Sequence, residues 1–111
     1  MNSFKDILIS PYATVEDAMR LIDTNMTGVC FVVEGDELLG SVTDGDIRRA
    51  VLDRVDISTP VKDLMCTACK SLPVGSSPDL INKYVGKYGF VPLLDSQGRL
   101  VDVASKKKQH H

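Results

Sequence analysis

Apolar and polar positions alternate along this chain in blocks, and the period of each block names an element. Phe4-Lys5-Asp6-Ile7-Leu8-Ile9 is an apolar lead-in closed by Ser10-Pro11. It predicts a helical turn and then a short edge strand, because the proline forbids a longer element. Thr14 follows as a helix N-cap with Asp17 at the third helical position, a shortened capping box. Val15, Ala18, Met19 and Ile22 supply the buried stripe of that helix, and Glu16, Arg20 and Asp23 face water. The helix stops between Asn25 and Gly28. Val29-Cys30-Phe31-Val32-Val33 is a continuous β-branched and aromatic run, the pattern of a strand buried on both faces. Glu34-Gly35-Asp36-Glu37 has the chemistry of a hairpin turn. A second strand runs through Leu38 and Val42. Ile47, Ala50 and Val51, at i, i+3 and i+4, then predict a helix.

After a polar linker ending at Pro60 and a short helix over Val61 to Met65, the pattern starts again. Leu72-Pro73-Val74 repeats the lead-in, and Ser76 or Ser77 caps a helix with Pro78 in its first turn. Leu80, Ile81, Tyr84 and Val85 form that helix's apolar face, Gly89 to Leu94 the next strand, and Leu100 to Ala104 the last. Gly28 falls on Gly89 and Leu38 on Leu100, shifts of 61 and 62 residues, so the chain is an internal duplication. Each half reads β-α-β-β-α and is too small to bury its faces alone, so the two halves must pack together. The expected fold class is α/β (α+β), with one repeat over 4–56 and a second over 57–105. In the second, Ser105 stands opposite Thr43, and Lys106, Lys107 and Lys108 occupy the places of Asp44, Gly45 and Asp46. No apolar helix follows, and 106–111, ending in His110-His111, reads as a tail left by a purification tag.

Composition narrows the function classes. A chain of 111 residues with 43% hydrophobic and 25% charged residues is an ordinary globular protein. The net charge is −2, with three of the lysines in the tail, so no basic surface for nucleic acid is advertised. There is no Trp, which leaves little to stack single strands on. No apolar run reaches membrane-spanning length, and Met-Asn-Ser-Phe-Lys-Asp has no signal-peptide core, so a cytoplasmic protein is expected. Three cysteines argue against a disulfide framework. Cys66-Thr67-Ala68-Cys69 has redox or half-zinc spacing but neither two further ligands nor a thioredoxin-like βαβ setting in the sequence. No serine or cysteine has an evident base and the only histidines are terminal, so the chain is not expected to be an enzyme.

The chemistry concentrates at Thr43-Asp44-Gly45-Asp46, the corner between the second strand and its helix. A helix N-terminus offers backbone N–H groups and a positive dipole end to an anion. Thr43 adds a hydroxyl for phosphate, and Asp46 a carboxylate that can accept from ribose hydroxyls. The same residue types also serve plain helix capping. Arg48 or Arg49 offers paired donors to a phosphate, or forms part of a solvated face.

Thr14-Val15-Glu16-Asp17-Ala18, the strand Val29 to Val33, and Leu39-Gly40-Ser41-Val42-Thr43-Asp44-Gly45-Asp46-Ile47-Arg48-Arg49 resemble a tandem pair of cystathionine-beta-synthase (CBS) domains, the Bateman module. The resemblance covers residues 4 to about 105 and is stronger in the first half. With the lead-in Ile7-Leu8-Ile9-Ser10-Pro11, it extends to the group in which the pair precedes a sugar-phosphate nucleotidyltransferase domain. It implies two half-domains related by a pseudo-two-fold axis, further paired into a homodimer. It also implies a regulatory sensor of AMP, ADP, ATP or S-adenosylmethionine for an attached domain that this chain lacks. Thr43 and Asp46 would meet phosphate and ribose, and Ala13, Thr14, Val29 and Cys30 the base. Lys108, in the place of the ribose-binding acid, cannot accept from ribose hydroxyls. At most one competent nucleotide site per chain is therefore expected, unless downstream chain supplies the missing helix. No cofactor is implied; Mg²⁺ would come to Asp44 and Asp46 only with a bound nucleotide. The alternative is a CBS pair that dimerises or positions its neighbour and binds nothing.

Overall fold

The computed structural model describes residues 4–105. A 3-10 turn, Phe4–Ile7, leads into the two-residue strand β1, Leu8–Ile9. Helix α1, Val15–Asn25, is followed by β2, Val29–Glu34, and β3, Glu37–Thr43. Helix α2, Asp44–Leu52, starts on the residue after β3 ends. The sheet order is β1-β2-β3, with β1 parallel and β3 antiparallel to the central strand. The lead-in is therefore a helical turn and an edge strand, as its proline requires. Gly35, at φ 63°, supplies the positive dihedral that the tight β2–β3 turn demands.

One core sits between this sheet and α1. Ala18 and Ile22 from α1 meet Ile9, Cys30, Val32 and Val42 from the three strands, and Val61 from beyond α2 completes the cluster. Burying each such valine removes it from water at a gain of roughly 1.5–3 kcal/mol. Two expectations about stripes are corrected here. Met19 on α1 and Val51 on α2 are exposed, while Val15 and Ala50 are buried. The i, i+3, i+4 rule finds the apolar side of a helix but not how far the sheet extends beneath it.

The chain divides into two compact units at Cys69/Lys70. The sequence places the join near Asp56, because the linker there is polar. Instead, the segment after α2 returns to the first unit. Its carbonyls at Ile57 and Thr59 accept the N–H groups of Glu16 and Val15, and Val61 N–H donates to Ala13 O at 2.7 Å. The predicted helix over 61–65 is a single 3-10 turn, Val61–Asp63.

The second unit repeats the plan over its own residues. Strand β4, Leu72–Pro73, lies parallel to β5, Phe90–Leu94, which pairs antiparallel with β6, Leu100–Ser105. Helix α3, Pro78–Tyr88, is capped by Ser77, whose hydroxyl accepts Leu80 N–H at 3.2 Å, with Pro78 in the first turn. Leu72, Val85, Val91 and Leu93 form its core, with Ile81 and Tyr84 against them, whereas Leu80 is exposed. The duplication is visible down to an irregularity. Register slips between Val32 and Val33 in the first hairpin and between Leu93 and Leu94 in the second, leaving Leu39 and Val101 as the extra residues. The tail and the expected absence of a last helix lie outside the described residues.

Candidate functional site

The β3–α2 corner is pinned to the sheet, since Thr43 is the register partner of Val29 at the head of β2. Thr43 is extended (φ −114°, ψ 169°) and caps α2. Its Oγ1 accepts the Asp46 N–H at 3.2 Å, and Asp46 Oδ2 accepts the Thr43 N–H at 2.9 Å. The N–H of Asp44 donates to Gly28 O at 3.0 Å. Of the first-turn donors expected to face an anion, those of Asp44 and Asp46 are thus already used. Of these first-turn donors, the Gly45 N–H has no acceptor among the described residues. The capping reading is what the geometry shows directly. Binding capacity survives within it, because a threonine hydroxyl that accepts can still donate, and a carboxylate has about four acceptor positions.

Arg49 joins this corner. Its Nη2 lies 2.6 Å from Asp46 Oδ1, and the Asp46 side chain is 18% exposed against 69% for Arg49. The guanidinium reaches back over the first turn, so that a methyl on Gly45 would stand 3.6 Å from Nη1. Arg48, exposed and one position along the helix, forms no ion pair among the described residues. The two arginines, equivalent in the sequence, are separated by the fold.

Asp44 also parts company with Asp46, since residues two apart on a helix do not face each other. Its carboxylate leans toward Gly28, where a methyl would come within 3.3 Å of Oδ2. It lines an open cleft of about 730 Å³ on the α1–α2 side, with Glu16, Arg20, Met19, Met26 and Ile57. Neither Thr43 nor Asp46 lines that cleft. The sequence reading missed it; the signal was Met19 and Met26, apolar residues that the core does not take. Among the described residues no cluster of three or more metal-ligating side chains occurs.

The remaining candidates are spread along the first unit. Thr14 caps α1 in a box of the same design, Thr14 Oγ1 accepting Asp17 N–H at 3.1 Å and Asp17 Oδ2 accepting Thr14 N–H at 3.0 Å. Ala13 and Thr14 are tied to the returning segment, through Val61 N–H and a bridge from Thr14 to Pro60. No hydrogen bond among the described residues links them to Thr43 or Asp46. Beside them Tyr12 is exposed, with its hydroxyl donating to Glu34 at 3.0 Å and Lys62 Nζ 5.4 Å above its ring. That hydrogen bond, and then the Glu34 charge, push the phenol pKa up. Val29 is buried, and the Cys30 side chain is fully buried with its thiol pushed up to about 12 by desolvation. Cys30 therefore presents no side-chain group to a ligand.

A duplicated strand–helix–hairpin unit with a capped, carboxylate-bearing corner defines an α+β module. Residues 3–53 match the family model of the CBS domain. No curated protein matches the chain in sequence. Several solved structures share its fold. One is OpuCA of Staphylococcus aureus, at 23% identity over 91% of this chain and 85% of that one, TM-score 0.73. Another is a CBS domain protein of Pyrobaculum aerophilum complexed with AMP, at 19% identity over 94% and 82%, TM-score 0.75. A third is CBSX2 in complex with AMP, at 18% identity over 90% and 81%, TM-score 0.77. No helix among the described residues is long and apolar enough to cross a membrane.

Proposed function

We propose that this chain is a regulatory CBS module that binds an adenosine nucleotide at the β3–α2 corner of its first repeat. The observation that carries the reading is the Thr43–Asp46 pair. It is held in place by its own capping box yet keeps a hydroxyl proton and carboxylate lone pairs to spare. Two neighbours of the same fold, solved with AMP, support the ligand class. Asp46 would accept from ribose hydroxyls, and Thr43 with the Gly45 N–H would meet the phosphate. Arg49 would supply the countercharge to that phosphate, with Arg48 as a more distant cation. Ala13, Thr14 and the backbones of Val29 and Cys30 would border the base. Asp44 serves only if Mg²⁺ enters with the nucleotide's phosphates.

Acting in the cytoplasm, the module would sense AMP, ADP, ATP or S-adenosylmethionine on behalf of an attached sugar-phosphate nucleotidyltransferase domain. A ligand moves such a system only through its differential affinity for two arrangements. Exposed Met19, Met26 and Ile57 around the α1–α2 cleft support pairing into a homodimer. The second reading, a dimerising scaffold that binds nothing, is favoured by one observation: the corner's main polar groups are satisfied without any ligand.

A thermal-shift titration with AMP, ADP, ATP, GTP and S-adenosylmethionine, with and without Mg²⁺, decides between them. A ligand specific for the folded chain stabilises it by about 2.7 kcal/mol at a hundred times its Kd. A saturable rise with adenosine ligands that disappears in Asp46→Ala supports the sensor. Unchanged midpoints throughout support the scaffold.

A further inference from the structure

Thr67 and Ala68 form a turn that puts Cys66 and Cys69 at its two ends. Ser41 of β3 anchors the first of them, exchanging backbone hydrogen bonds of 3.0 and 2.8 Å with Cys66. Gly40 allows the approach: a methyl there would stand 2.6 Å from the Cys66 carbonyl oxygen. A four-residue turn brings its first and last Cα atoms within about 7 Å. Disulfides span roughly 4.4–6.8 Å between Cα atoms, so such a turn holds the two cysteines near bridging separation.

The two thiols are unequal. Cys66 is exposed and Cys69 half-buried. Burial, then the neighbouring Cys66 charge, push the Cys69 thiol up, against the pull of the Ser41 hydroxyl. An exposed attacker beside a sheltered partner is the arrangement thiol–disulfide exchange uses. The sequence shows the spacing but not this setting, which comes from a strand 25 residues upstream.

We infer that Cys66 and Cys69 are a redox-active pair that closes to an intrachain disulfide by exchange with a low-molecular-weight disulfide such as oxidised glutathione. The Cys66 thiolate attacks one sulfur of the oxidant, whose S–S bond breaks and releases one glutathione thiolate. Cys69 gives its proton to that leaving thiolate and attacks the Cys66 sulfur of the mixed disulfide, expelling the second glutathione. Two protein thiols are oxidised, and one disulfide is reduced to two thiols. Closure falls on the last residues of the first unit and on Ser41. Ser41 lies on the same strand face as Thr43, two residues on.

The test is peptide mapping by mass spectrometry of the reduced chain after exposure to oxidised glutathione. The expected product has lost two hydrogens, carries the Cys66–Cys69 bond, leaves Cys30 free, and reverts fully with dithiothreitol. Cys69→Ser should stop at a stable glutathione adduct on Cys66, and Cys66→Ser should give no closed product. A native chain that halts with glutathione on Cys66, cross-links to a second chain, or stays reduced where a small dithiol control is oxidised overturns the inference. The readout involves no nucleotide, so it stands or falls apart from the proposed ligand.

Discussion

Thr43 and Asp46 hold each other, so a substitution at either can move stability, binding or both, and the two effects can be pulled apart. Thr43→Ala removes the cap and should cost about 0.5–2 kcal/mol in chemical denaturation, whereas Thr43→Ser should retain nearly all of it. Asp46→Asn keeps an oxygen for the Thr43 N–H but loses the charge that pairs with Arg49 and favours ribose hydroxyls. It should unfold close to the native midpoint while calorimetry shows nucleotide affinity falling at least tenfold. A different carboxylate contributes to acid stability, as does Asp56 through its hydrogen bonds from Ser58. Asp95 accepts the N–H groups of Arg99 and Gln97 and the Arg99 guanidinium, and these bonds hold its carboxyl below the usual range. A depressed folded-state value contributes stability above the unfolded pKa and loses it as pH falls through the folded one. Asp95→Asn should therefore flatten the decline of the urea midpoint below about pH 4 and leave little change in shape above it.

At the scale of elements, most of the fold was legible because each signal was local. The Thr14 capping box, Ser77 with Pro78, the Gly35 turn and the β-branched run of β2 depend on residues a few places apart, and each stands where the pattern put it. Burial on the helices was less legible, since Met19 and Val51 carry the right period but no strand or helix covers them. The helix C-terminus hid a strained residue, Met26, which takes φ 58° and leaves its side chain 81% exposed. Left-handed backbone costs an L-residue roughly 1–2 kcal/mol, part of which glycine returns as unfolded-state entropy. Met26→Gly should thus raise the denaturation midpoint modestly. Gly40→Ala should do the reverse, by about 1–3 kcal/mol, because the Cys66 carbonyl must move off the edge of β3. Loss of protection at the Ser41 and Cys66 amides in hydrogen exchange would locate the damage.

For the molecule as a whole, the duplication was readable from the 61- and 62-residue shifts, but the boundary between its units was not. Polar, proline-ended sequence after α2 looks like a linker; only backbone hydrogen bonds from Val15, Glu16 and Val61 show that it is the wrapping of the first unit. The same limit applies to the candidate site. The types and order of Thr43, Asp46 and Arg49 were visible, while the separation of Asp44 from Asp46, and of Arg48 from Arg49, needed the helix built in place. A chain cut after Asp56 should consequently lose cooperative unfolding, since it lacks Val61, whereas one cut after Cys69 keeps the whole first core. Calorimetry of the two fragments separates these outcomes. The repeated register slip has a further consequence, for heredity rather than stability. Each slip lies on the tip side of its hairpin, so the inner residue pairs keep an unbroken register in both copies while the tips differ. The copies have already drifted there, Gly35-Asp36 joining one pair of strands and Asp95 to Arg99 the other. The tips are the places where this lineage can vary in length without rewriting its core, and where a foreign loop would be accepted.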